Sequence, residues 1–249
     1  MSDGPVLAPA AHLAAFSTIS QRLAERAGDR LDRPVEACPE WTVGDLVGHL
    51  GGVYSWTTSV IAASGGRPDG ERALPPSEPD LLIRWFLEQR DRLVDSFSSH
   101  EPDEPAWTFV RKEPANVGWW YRRQAQETAL HAWDVDHAGG SAGPIPADLA
   151  ADGVDEVLTQ FLPSYLRRRP VPALRGTLHL HATDTPGEWS LDLTEPDLVR
   201  REHGKADTAL RGPASGLLLW AWNRLSAEEA GLEVFGGLGV VEAWAEVKL

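Results

Sequence analysis

The segment NVGWWYRRQAQETALHAWDVDHA, Asn116 to Ala138, carries apolar residues at helical spacing and runs into the pair Gly139 and Gly140. Glycine most easily takes the left-handed conformation that closes a helix, so the pattern predicts a helix that stops there. Within it, Glu127 and His131 are four residues apart. At that spacing both side chains leave one face about a turn apart and can converge on a single ion.

Working towards the N-terminus, three further segments have the same amphipathic spacing: about Leu7 to Ala27, Val43 to Ser64 and Pro79 to Ser98. Thr42 is a plausible N-cap for the second, with Asp45 in its first turn, where negative charge suits the helix dipole. His49 lies between Leu46, Leu50 and Val53, on the face that a bundle buries. The connections GGRPDGERALPPSE, Gly65 to Glu78, and HEPDEPAWTFVRKEP, His100 to Pro114, are long and rich in Pro, Gly and charge. Four helices joined in this way predict a four-helix bundle with flexible or functional loops at its ends.

Beyond the Gly-Pro stretch that ends at Pro146 the pattern changes. A fifth helical segment, DLAADGVDEVLTQFLPSYLRR, is followed by RGTLHLHATD, EWSLDLTE, VRREH and DTALRG, which alternate apolar and polar residues between turn residues. Alternation of this kind predicts an antiparallel sheet. An apolar helix, SGLLLWAWNRL, and a short C-terminal element complete the chain. The expected fold class is therefore α+β, with a bundle over residues 1–143 and a smaller α+β domain with an antiparallel sheet over 144–249.

The 249 residues carry a net charge of −14, which repels nucleic acid phosphates and anionic lipid, so neither is expected as a main partner. No run approaches the ~20 apolar residues needed to span a bilayer. The N-terminal residues lack the basic and apolar regions of a signal peptide. A single cysteine, Cys38, excludes an intrachain disulfide and fits a reducing cytoplasm, which is the expected location. A monomer is the default expectation.

One ligand from one helix and two from a facing helix commonly build a metal site inside a bundle. Two imidazoles and a carboxylate from His49, Glu127 and His131 suit zinc and leave a position for water or substrate; iron, nickel or manganese also accept them. Spacing alone favours a surface Glu127–His131 pair with His49 as a hydrogen-bonded core histidine. Resemblance separates the two. The blocks CPEWTVGDLVGHL, Cys38 to Leu50, and RRQAQETALHAWDVD, Arg122 to Asp136, resemble the signature blocks of the mycothiol-dependent maleylpyruvate isomerase family, whose N-terminal domain is a DinB-like metal-binding bundle. The stretches DGVDEVLTQFLP and ADTALRGPASGLLLWAWNR are similar to that family's sterol-carrier-like C-terminal domain. The resemblance implies that His49, Glu127 and His131 hold the metal. It also implies that Arg224 is a catalytic arginine able to grip a substrate carboxylate, with an exposed helix-end arginine as the alternative.

The same resemblance implies a divalent metal, zinc or another, that binds the sulfur of the low-molecular-weight thiol mycothiol and lowers its pKa. The thiolate would attack a small electrophilic substrate, in an isomerase or a thiol transferase. A hydrolase using metal-bound water, or a non-catalytic binding module, are the alternatives of other classes.

Other residues read as follows. Asp134 is placed to orient the His131 imidazole or to serve as a helix-surface acid, and Arg123 to form an ion pair with Glu127. His179 and His181 share one face of a strand whose buried face is Leu178 and Leu180, so they are expected to be solvated. His137 suits a helix C-terminus. Cys38, in a loop, is expected to pack rather than react. Of the 11 tryptophans most fit core or loop anchoring, while Trp119 and Trp120 are candidates to line a pocket mouth.

Overall fold

A computed structural model describes residues 6–68, 70–110, 115–195 and 199–248 of the chain; Asp69 and residues 111–114, within the two long loops, lie outside the described residues. The chain divides into two compact units, Ala8–Gly143 and Pro144–Leu249, with Val6 and Leu7 belonging to the second. The Leu7 amide donates to the buried carboxylate of Asp152 there, at 2.8 Å.

The first unit is built on α1 (Pro9–Ala27), a short hairpin of β1 (Pro34–Val35) and β2 (Cys38–Thr42), α2 (Val43–Ala62), α3 (Pro79–Ser98) and α4 (Val117–Ala138). α1 packs on α4 and α2 on α3. The core joins Phe16, Tyr54, Phe86 and Phe97, all fully buried, with Phe16 edge-on to Tyr54 at 5.1 Å and to Phe97 at 6.2 Å. The hairpin, in a segment read from sequence as a loop, feeds directly into α2. The first amides of α2 are satisfied by that approach: Val43 donates to the Arg33 carbonyl and Gly44 to that of Leu31. Asp45 donates to Thr42 Oγ1 at 3.2 Å, and the Asp45 carboxylate accepts from the Thr42 amide at 2.8 Å. This reciprocal capping box fixes where α2 begins.

At the other end of the bundle, the Asn116 side chain caps α4 by accepting from the Trp119 amide at 2.9 Å. Gly140 closes the helix at φ +70°, with Ser141 donating back to the Asp136 carbonyl at 2.9 Å. Two buried polar pairs lock α2 to α4: Tyr54 Oη with Thr128 Oγ1 at 2.7 Å, and Gln124 Nε2 donating to Thr57 Oγ1 at 3.0 Å. As the residue number rises along α2 its partner on α4 falls, so the helices are antiparallel and His49 comes level with Glu127 and His131.

The second unit contains α5 (Ala147–Glu156), a π turn over Val157–Phe161 and α6 (Leu162–Arg168) where one helix was expected. Pro163 explains the break, because it has no amide to continue the α-helical ladder, and Leu162 instead donates to the Val157 carbonyl five residues back. Then come β3 (Thr177–Ala182), β4 (Glu188–Asp192), β5 (Val199–Arg200), β6 (Thr208–Gly212), α7 (Ala214–Ala221), β7 (Glu233–Gly236) and α8 (Gly239–Trp244). The strand order is β5-β4-β3-β6-β7.

The sheet is mixed, which corrects the expectation of an antiparallel one: β3 and β6 run parallel, and the other pairs are antiparallel. The chain leaves the β5 edge and crosses to the far side of β3, so that the central strand gains a neighbour on each side. Alternation of residues reports a strand's faces and is silent about its neighbours. Leu178, Leu180 and Leu210 are fully buried on one face of the sheet, with Trp189 and Leu191 beside them, and α7 packs on β3 and β6.

Candidate metal centre

His49 is carried by α2, and Glu127 and His131 by α4, so the α2–α4 register described above brings them together. Glu127 Oε1 stands 3.4 Å from His49 Nε2 and 3.7 Å from His131 Nε2. One ligand atom from each lies within 4.8 Å of those of the other two. These separations exceed the about 2.7–2.9 Å of a charge-assisted hydrogen bond. They are close to the about 3.3–3.5 Å between neighbouring donors around a tetrahedral zinc with bonds of about 2.0–2.1 Å. The donor chemistry and spacing fit a divalent ion of the zinc type.

The surroundings orient each group. Asp134, buried, receives a hydrogen bond from His131 Nδ1 at 2.9 Å, which leaves Nε2 facing Glu127. A carboxylate behind an imidazole fixes its tautomer and raises its basicity as a ligand. Burial favours the neutral ring of His131 and is the largest single influence, but Asp134 and Glu127 outweigh it and raise the pKa to about 9. An ion at Nε2 would take the place of that proton. Burial likewise opposes ionisation of Glu127, yet Arg123, whose Nη2 donates to Glu127 Oε2 at 2.7 Å, and the two histidines together hold the carboxyl well below the usual carboxylate range. Glu127 is a carboxylate in the ligand form, with one oxygen tied to Arg123 and the other turned to the histidines.

His131 is nearly buried, whereas His49 and Glu127 keep about a quarter of their side-chain surface, so the group is reachable from one side. His49 lines a cavity of about 850 Å³, within the usual range for small-molecule sites. Trp41, at the end of β2, lies against the His49 ring at 4.9 Å and lines the same cavity, a role that the sequence reading did not assign to it. Arg72, Ala73, Leu74 and Pro75 of the first long loop also line it; no described residue of the second long loop does.

Other expected residues fall elsewhere. Trp119 and Trp120 do not line the cavity beside His49: both are buried in an aromatic cluster with Phe109, and Trp120 also packs against Trp56 and donates through Nε1 to the Trp107 carbonyl at 2.7 Å. They anchor the second long loop to the bundle. His137 stacks on Trp133 and meets Glu36 at 3.0 Å. Cys38 is half-buried in β2. Arg224 belongs to the second unit, just after α7, where it is partly buried and Nη1 donates to the Trp222 carbonyl at 3.1 Å.

The family model of the mycothiol maleylpyruvate isomerase N-terminal domain matches residues 8–136, and that of the corresponding C-terminal domain matches residues 148–243. The chain belongs to the mycothiol maleylpyruvate isomerase family. No curated protein sequence matches it. Among solved structures, a crystal structure of a point mutant of the mycothiol-dependent maleylpyruvate isomerase superposes with a TM-score of 0.63 at 11% identity, over 92% of this chain and 93% of that one. The crystal structure of mycothiol-dependent maleylpyruvate isomerase gives 0.60 at 12% identity, over 88% and 91%. At such identity the likeness is one of fold, while the family assignment rests on the two domain models.

Proposed function

We propose that this member of the family is a metal-dependent enzyme that uses mycothiol, as an isomerase or thiol transferase, on a small electrophilic substrate, with His49, Glu127 and His131 as the metal ligands. The observation that carries this reading is the convergence of the three donor atoms at metal-ligand spacing beside a cavity of small-molecule size. When bound there, a zinc-type ion supplies the means to hold a thiol sulfur as thiolate at neutral pH. Asp134 keeps the His131 ring in the binding orientation, and Arg123 keeps Glu127 ionised. Trp41 and the 72–75 wall enclose the space in which a thiol and its substrate would sit.

The test is elemental analysis combined with calorimetry of mycothiol binding on the purified protein, with His49→Ala and His131→Ala alongside. Thiol binding in the wild type that disappears in both variants, together with one equivalent of metal, is the expected result. Folded protein that binds neither metal nor thiol at these residues would leave a binding module in place of an enzyme.

A further inference from the structure

We infer that the second unit carries a metal site of its own, in which His179, His181, Glu188 and His203 bind one divalent transition-metal ion of the imidazole-preferring, zinc-like class. Strand pairing assembles it. In the antiparallel β3–β4 register His181 lies opposite Glu188 and His179 opposite Ser190, so all four occupy the sheet face away from the buried leucines. His203 arrives from the segment that leaves β5 and crosses towards β6. One ligand atom from each of the four ionisable residues lies within 4.8 Å of those of the other three.

The expectation that His179 and His181 are solvated is corrected for His179, which is only 4% exposed. Its ring is covered by that of His203, the centroids 5.2 Å apart. Gly204 makes this close approach possible, because a Cβ there would stand 2.7 Å from Ser190 Oγ.

The hydrogen bonds around His179 decide which nitrogen is available. Ser190 Oγ donates its one proton to the Glu202 carbonyl at 3.1 Å, so towards His179 Nδ1, at 3.0 Å, it acts as acceptor. Nδ1 therefore carries a proton, and in the neutral ring the Nε2 lone pair points into the cluster. Nε2 is buried and has no hydrogen-bond partner among the described residues; Glu188 Oε2 stands off at 3.6 Å. A buried lone pair facing a carboxylate oxygen is unfavourable unless a cation lies between them.

The remaining donors complete the set. Glu188 Oε1 lies 3.1 Å from His181 Nδ1, and Oε2 lies 2.9 Å from His203 Nδ1. The 2.9 Å contact is a hydrogen bond, which an ion would replace; the 3.1 Å separation and the 3.6 Å separation to His179 lie on either side of the about 3.3–3.5 Å expected between neighbouring tetrahedral donors on zinc. Three imidazoles and one carboxylate suit zinc, cobalt, nickel or copper over magnesium or calcium, which prefer all-oxygen sites. Such an ion would pin the crossing segment to β3 and β4. The bidentate bond from Arg201 to buried Asp155, at 2.6 and 3.0 Å, already holds the start of that segment and so brings His203 into reach.

The test is zinc content after dialysis of the full-length wild type, His203→Ala and Glu188→Gln, with His49→Ala in parallel and circular dichroism to check folding. His203 and Glu188 reach solvent, so these variants spare the core. Loss of one equivalent of zinc in His203→Ala and in Glu188→Gln relative to the wild type, with one equivalent still present in His49→Ala, is the expected result; it holds whether or not the bundle site also binds. Wild-type zinc content in both variants, or a site that fills only at millimolar zinc, would overturn the proposal.

Discussion

His131 illustrates how far one side chain depends on its neighbours. Its Nδ1 is tied to Asp134, its Nε2 faces Glu127, and Glu127 is itself tied to Arg123. Asp134→Ala should keep the bundle folded and weaken zinc binding roughly 10- to 100-fold, as removal of a ligand-orienting carboxylate commonly does; a chelator competition titration measures this. The Glu127–His131 spacing was legible in the sequence, since helical periodicity alone places the two on one face. The contact of Trp41 with His49 was not, because it depends on a hairpin whose pairing no local pattern announces.

At the scale of elements, α2 is held at its start by the Thr42–Asp45 box. Thr42→Ala should destabilise the protein by about 1 kcal/mol, measured by urea denaturation at neutral pH. The Thr42 backbone and side-chain hydrogen bonds lower the Asp45 pKa below its ordinary value. A folded-state pKa below the unfolded one gives stability that is present above the unfolded value, near 3.9, and is lost as pH falls through the folded value. The difference in stability between wild type and Asp45→Asn should therefore be constant from neutrality to about pH 5 and shrink on further acidification. Caps and breakers of this kind were readable: Thr42, the Pro79 start of α3 and Gly140 all stand where the sequence predicts. The π turn before Pro163 and the parallel pairing of β3 with β6 were not, since one is a local relaxation and the other a long-range choice of neighbour.

On the scale of the whole molecule, two units each bury their own core, the first around Phe16, Tyr54 and Phe97 and the second around Leu178, Leu180, Trp189 and Leu210. Leu180→Ala removes a fully buried side chain from the central strand and should cost the second unit about 2–5 kcal/mol. Hydrogen exchange checks this: amides of Leu178 to Ala182 should exchange faster, while those of Val47 to Leu50 in α2 keep their protection. Equal acceleration in both places would show that the two cores open together.

The sequence by itself determined the four bundle helices, the Thr42 and Gly140 ends and the α+β class, because these rest on periodicity and on the backbone preferences of a few residues close together in the chain. It also held the Glu127–His131 pair, one turn apart on a single helix. Tertiary structure alone decided which residues from distant segments meet: His49 with Glu127, Trp41 with His49, and His203 with His179 and Glu188. Such meetings follow from helix register, strand pairing and the path of a crossing segment. Those are set by how whole faces bury against one another, a property that no short stretch of sequence contains.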